Sequence, residues 1–290
     1  MPRTASITLA VVLAALDAGC GVASVDPVAG TAVSLAPNIT EMVYALGLDT
    51  QLVGVTSACD WPEQAREKTV VGDMGRPNLE MLTELRPEVV LCTGMEEGEV
   101  LAALRASGVS VVTVPQDTLA DIYEAARVVA RALGDPDVGT ALGQDIEKRV
   151  EAARSVTRHL TPDSRHRVFG EIWDDPLITC GAGSFLDEVI TAAGGVNVAS
   201  TLAQPYARIG AESVIASAPS AILVLHDVEG DPLHVVGSRL GWSTLPAVVH
   251  GRVYADLPLD TITRPGPRVA EGVEAVSRAL YPALWEGIPR

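Results

Sequence analysis

The sequence predicts an α/β protein built as two lobes bridged by a single long helix, with a ligand cleft between the lobes. Three observations lead there. Short β-branched runs alternate with stretches of helical period through most of the chain, the pattern of βα units and parallel sheets. One stretch near the middle lacks a strand signal and repeats apolar residues at helical spacing. The segments on either side of it echo each other: Glu41-Met42-Val43-Tyr44-Ala45-Leu46-Gly47 aligns with Glu188-Val189-Ile190-Thr191-Ala192-Ala193-Gly194.

Taken in order, residues 32–35 read as a strand, and Pro37 opens a helix to Leu46 that Gly47 stops. Residues 52–56 and 89–92 are strands, 96–107 a helix ended by Gly108, and 109–114 the strand after it. An amphipathic helix over 118–133 carries Asp121 near its start and Gly134 after its end. Val138, Leu142, Ile146 and Val150 then mark a long helix over 135–159, of about seven turns, closed by Thr161-Pro162-Asp163. Beyond it, 167–173 and 221–225 are strands, while 184–193, 212–217 and 269–280 are helices. A Rossmann-like first lobe is therefore expected over 30–134, the bridging helix over 135–160 and a second Rossmann-like lobe over 165–290. Glu80 stands seven residues before Pro87 and a buried strand, and Glu212 seven before Pro219 and another. Each lobe thus carries a short helix with a glutamate in its first turn. A helix dipole alone favours such a carboxylate, but the repetition suggests one acidic contact per lobe to a two-fold symmetric partner. Arginine is the natural complement, since its planar fork meets a carboxylate with two hydrogen bonds.

Hydrophobic content of 48% against 20% charged residues excludes a disordered chain. A formal net charge of −16 argues against nucleic acid and against docking on anionic lipid through a basic patch. Residues 1–20 read as an export signal: Arg3 supplies the positive start, and 7–16 an apolar run too short to span a bilayer. Ala18-Gly19-Cys20 resembles a bacterial lipobox, in which Cys20 is lipidated and becomes the mature N-terminus. Asp17 stands where that motif has an apolar residue, so ordinary cleavage near Ala23 stays open. The expected location is extracytoplasmic, either lipid-anchored on the outer face of the cell membrane or free in the periplasm. Cys59, Cys92 and Cys180 match no CxxC motif; Cys92 reads as a buried small hydrophobe, and export permits a disulfide between two of the three.

Several segments together resemble class III ABC-transporter substrate-binding proteins, the helical-backbone type that serves vitamin B12, ferric siderophore and haem importers. They are Val33-Ser34-Leu35-Ala36-Pro37-Asn38-Ile39-Thr40-Glu41, Leu52-Val53-Gly54-Val55-Thr56, Cys59-Asp60-Trp61-Pro62, Asn78-Leu79-Glu80 and Arg86-Pro87-Glu88-Val89-Val90. The resemblance implies permease docking by Glu80 and Glu212 against permease arginines. Glu171-Ile172-Trp173-Asp174-Asp175-Pro176-Leu177 and Gly181-Ala182-Gly183-Ser184-Phe185 are similar to the cobalamin-binding branch, as are Asp260 and Arg264-Pro265-Gly266-Pro267-Arg268. By that likeness Trp61, Trp173 and Tyr206 wall a bound corrinoid, and Asp260 and Arg268 supply hydrogen bonds to its rim. Such a disc, partly apolar and rimmed by amides, suits aromatic walls with a few polar groups. Met74-Gly75 departs from B12 binders that carry an aromatic there. A siderophore or haem carrier of the same class is the alternative, and a non-transport extracytoplasmic sensor a remoter one.

No enzyme chemistry or cofactor is expected. Gly181-Ala182-Gly183 begins a dinucleotide fingerprint, but Leu186 occupies its third glycine position, and no G-x-S-x-G elbow occurs. His226, Asp227 and His234 read as solvated loop residues without metal-ligand spacing, and Trp242 and Trp285 as packing residues.

Overall fold

The computed structural model describes residues 30–289; the expected export signal over 1–20, with Cys20, lies outside the described residues. The first lobe opens with β1 (Ala32–Ser34), α1 (Pro37–Ala45), β2 (Leu52–Val55) and β3 (Thr69–Val70). A small ribbon of β4 (Gly72–Asp73) and β5 (Arg76–Pro77) leads into α2 (Leu79–Leu85). β6 (Val89–Cys92), α3 (Gly98–Ala106), β7 (Ser110–Thr113) and α4 (Leu119–Ala132) complete the lobe. Its five-stranded sheet is parallel throughout, in the order β3-β2-β1-β6-β7. β6 is buried along its whole length, which is why it reads as a continuous apolar run with no alternation. Helix α3 starts two residues later than expected because Glu96 folds back, accepting from Thr93 N at 2.9 Å and Gly94 N at 2.8 Å.

The long helix is α5 (Pro136–Val156), about 30 Å from end to end. It stops before His159 because the Thr157 hydroxyl donates back to Arg154 O at 3.3 Å while its side chain is buried against Gly194. Gly139 and Gly143 let α5 lie directly on α4. A Cβ at Gly139 would sit 2.5 Å from Ala130 Cβ, and one at Gly143 2.6 Å from Tyr123 O.

The second lobe comprises β8 (Arg167–Asp174), β9 (Leu177–Cys180), α6 (Phe185–Ala192), β10 (Val196–Asn197), β11 (Tyr206–Arg208) and α7 (Ala211–Ser217). It continues through β12 (Ala221–Val224), α8 (Pro232–Gly237), α9 (Pro246–Val249), β13 (Val253–Tyr254), α10 (Leu259–Thr263) and α11 (Val269–Leu280). The sheet runs β11-β9-β8-β12-β13, with β10 beside the start of β8. Here β9 turns back on β8 and β11 on β9, both antiparallel, so the second lobe is not a copy of the first. Trp173 is a strand residue paired with Ile178, and Tyr206 opens β11, paired with Cys180.

One apolar core joins both lobes. Ala32, Val89 and Leu91 from the first sheet, Ile122 and Ala126 from α4, and Ile146 and Val150 from α5 belong to it. So do Val168, Leu223, Val273 and Val276 of the second lobe. The opposite face of each sheet has its own smaller core, around Leu82 and Leu104 in the first lobe and around Phe169 and Trp242 in the second. Trp242 and Trp285 are packing residues, buried as expected. All three described cysteines are buried free thiols, with no disulfide among them.

Candidate ligand-binding site

Parallel strands leave their connecting loops at the carboxyl ends, and open α/β sheets bind ligands there. In the first lobe those loops supply one wall of an interlobe cavity of about 710 Å3: Asn38 after β1, Ala58 after β2, Met95 after β6 and Gln116 after β7. Ser184 and Phe185 at the start of α6, Tyr206 on β11 and Arg264 after α10 face them from the second lobe. Asn38, itself buried, bridges the two sides. Its amide donates to Gln116 Oε1 at 3.0 Å and to Pro265 O at 3.3 Å.

Beside the cavity lies a cluster of charges drawn from both lobes. Glu41, on the buried face of α1, accepts two bonds from Arg268, Nε at 2.8 Å and Nη2 at 2.8 Å. Arg264 Nη1 reaches Glu41 Oε1 at 3.2 Å and Asp60 Oδ1 at 2.6 Å, and its Nη2 lies 2.9 Å from Asp260 Oδ1. The Glu41 side chain is 2% exposed, and those of Arg264 and Arg268 about one-fifth. A carboxylate this deep needs a cation partner, which α1 alone does not provide. The Arg264 hydrogen bond holds the Asp60 carboxyl below the usual carboxylate range.

The five expected ligand contacts fall into three groups. Tyr206 lines the cavity. Half its surface is exposed, yet burial of the rest pushes its phenol up to about 12, with Cys180 and Asp117 adding to the shift. Trp61, Asp260 and Arg268 meet in the charge cluster, where the Arg268 guanidinium lies 4.6 Å from the Trp61 ring centroid. Arg268 therefore has its fork turned to Glu41 and its face to Trp61, while Trp61 keeps its outer side exposed. Trp173 stands apart at the β8–β9 hairpin, its indole donating to Asp175 O at 3.0 Å and its ring 5.8 Å from His226.

Sequence reasoning passed over two members of this site, Arg264 as a cavity residue and Glu41 as its buried counter-ion. Asp260, Arg264 and Arg268 recur every four residues, and Glu41 sits among the apolar residues Ile39, Met42 and Val43; those spacings were the available signal. His226 is a correction of another kind. It is no solvated loop residue: its side chain is 7% exposed, and Nε2 lies 3.0 Å from Glu171 Oε1. His234 is exposed but belongs to α8. Among the described residues no group of three His, Cys, Asp or Glu side chains is disposed to hold a metal ion.

Glu80 and Glu212 occupy matching places. Each is exposed in the first turn of a seven-residue helix, α2 or α7. Each helix ends in a left-handed residue, Arg86 with φ 46° or Ala218 with φ 44°, followed by proline.

A family profile described as periplasmic binding protein matches residues 33–258. The chain belongs to that family. This binding protein is the substrate-binding component of an ABC transporter and not an enzyme. It is 30% identical over 259 residues to the uncharacterized ABC transporter substrate-binding lipoprotein YvrC of Bacillus subtilis, covering 88% of this chain and 81% of the relative. It is likewise 30% identical over 254 residues to the vitamin B12-binding protein of Vibrio cholerae, covering 86% and 88%. Among solved structures, the periplasmic haem-binding protein RhuT of Roseiflexus in its apo form is similar at a TM-score of 0.78 and 29% identity, covering 89% of this chain and 100% of that one. The periplasmic vitamin B12-binding protein BtuF of Vibrio cholerae is similar at a TM-score of 0.74 and 28% identity, covering 87% and 97%. The binding protein shares their class of two-lobed fold, and no helix among its described residues is long and apolar enough to cross a membrane.

Proposed function

We propose that the cleft captures a corrinoid of the vitamin B12 type and that Glu80 and Glu212 present the loaded protein to arginines of the permease. One observation carries the ligand reading: among the described residues the cavity offers no free cation. Arg264, the single Lys or Arg on its lining among the described residues, is matched by three carboxylates. Asn38, Gln116, Ser184, Thr263 and Tyr206 are neutral hydrogen-bonding groups, interleaved with Met74, Met95 and Phe185. Neutral donors and acceptors suit an amide rim, and apolar side chains suit the faces of a broad disc. A ligand bearing carboxylates would call for unpaired Arg or Lys. Relatives that bind vitamin B12 support the same reading. Tethering through a lipidated Cys20 belongs to this proposal, and the lipoprotein name of YvrC supports it.

Titration of the purified mature chain tests the ligand. Cyanocobalamin should bind with micromolar affinity or better; saturation by haemin or a ferric siderophore, with no response to cyanocobalamin, overturns the corrinoid reading and favours the chemistry named for RhuT. For docking, Glu80→Ala combined with Glu212→Ala should leave cyanocobalamin affinity unchanged and abolish uptake in cells. Retained uptake would remove the docking role.

A further inference from the structure

We propose that Glu41, Asp60 and Asp260 form a charge filter that sets the ligand class of the cleft by cancelling Arg264. The inference deepens the corrinoid reading and rests on it for the identity of the favoured ligand. Its physical core is the imbalance of the cluster: three carboxylates face two guanidiniums. Arg66, the next cation, is 3.8 Å from Asp60 and mostly exposed. Glu41 takes the Nε and Nη2 edge of Arg268 and shares Arg264, so the second arginine does not free the first. Asp60 and Asp260 then occupy the two terminal nitrogens of Arg264, one from each lobe. A guanidinium whose charge is matched by three neighbouring carboxylates attracts an incoming anion only weakly, whatever N–H groups it still carries. An anionic ligand would also meet the surplus negative charge at short range, where water screens it least.

Packing alone does not require this arrangement. The Asp60 and Asp260 side chains are 33% and 55% exposed, so neither fills a core position. Their constant effect is electrostatic: they turn a cationic wall residue into a neutral one. Removing them returns a positive charge to the cavity without emptying any space inside it.

The test compares probes of different charge on the intact mature chain carrying Asp60→Asn with Asp260→Asn. Mesoporphyrin, a flat macrocycle with two carboxylates and no metal, serves as the anionic probe, and cyanocobalamin, which has no net charge, as the neutral one. The double variant should bind mesoporphyrin at least tenfold tighter than the parent at low salt, and the gain should fade at about 0.5 M salt as screening shortens to a few ångströms. Cyanocobalamin, which carries no charge for the released guanidinium to attract, should show no such salt-dependent gain, and Asp60→Asn with Asp260→Glu should restore most of the rejection. Unchanged mesoporphyrin binding, or equal gains for both probes, overturns the filter. Glu41→Gln is the second variant, with gain of the anionic probe expected in the same direction. A parent protein that ignores cyanocobalamin would defeat the corrinoid reading, while the gain of the anionic probe would still report on the filter.

Discussion

In the second lobe Glu171 is fully buried and receives Arg239 and His226 from within the same lobe, whereas the buried Glu41 of the first lobe takes its arginines from the second. Glu171 accepts Arg239 Nη2 at 2.9 Å and Nη1 at 2.5 Å, and the Arg239 guanidinium lies 4.8 Å from the centroid of the buried Trp242. That carboxylate organises one lobe. Glu41 instead closes a contract between lobes, at the edge of the cavity. Two buried acids of one type thus serve stability in one place and ligand choice in the other, according to where their counter-ions originate.

Removing the partners should separate the two roles. Arg239→Ala leaves the fully buried Glu171 with His226 alone beside it and should cost about 3–5 kcal/mol of stability, read as a lower urea midpoint. Glu41→Gln leaves Arg264 and Arg268 about one-fifth exposed and able to find water, so the expected loss is nearer 1–3 kcal/mol. Equal losses in the two variants would break the comparison. The two short helices that carry Glu80 and Glu212 offer a finer contrast. Asn78 caps α2, accepting from Glu80 N at 2.9 Å and Met81 N at 3.3 Å, while α7 starts at Gly210 with no side-chain cap. Asn78→Ala should cost about 1 kcal/mol in thermal unfolding. The smallest effect concerns acid. Because Asp60 has a lowered folded pKa, its contribution is present above the unfolded value and is lost as pH falls through the folded one. Asp60→Asn should therefore show a shallower acid limb than the parent below about pH 4, and an identical limb would remove Asp60 from the charge cluster's contribution to stability.

The parallel elements were legible because each announces itself locally. Val89–Cys92 is uniformly apolar, Thr118 and Asp121 form a capping box at the start of α4, and Pro136 opens α5. The paired places of Glu80 and Glu212 were legible through their spacing to proline. The β8–β9 hairpin was not, because a single antiparallel return carries no signature beyond Asp175-Pro176. The charge cluster was least legible. Glu41 and Arg268 are 227 positions apart, and such a pair acquires meaning only when two lobes meet. Reading Arg268 as a rim donor missed that Glu41 already holds its fork, whereas Arg264 faces the cavity.

The bare backbone of Gly139 and Gly143 has a mechanical corollary. It fuses the first half of α5 to α4, while Ile146, Val150 and the Arg149–Glu271 pair tie the later half to α11. A strut glued along its length to both bodies it joins cannot work as an elbow. Cargo exchange is then expected to need only small adjustments at the mouth, and the docking proposed for Glu80 and Glu212 would give the membrane machine two points of purchase for prising the cargo loose.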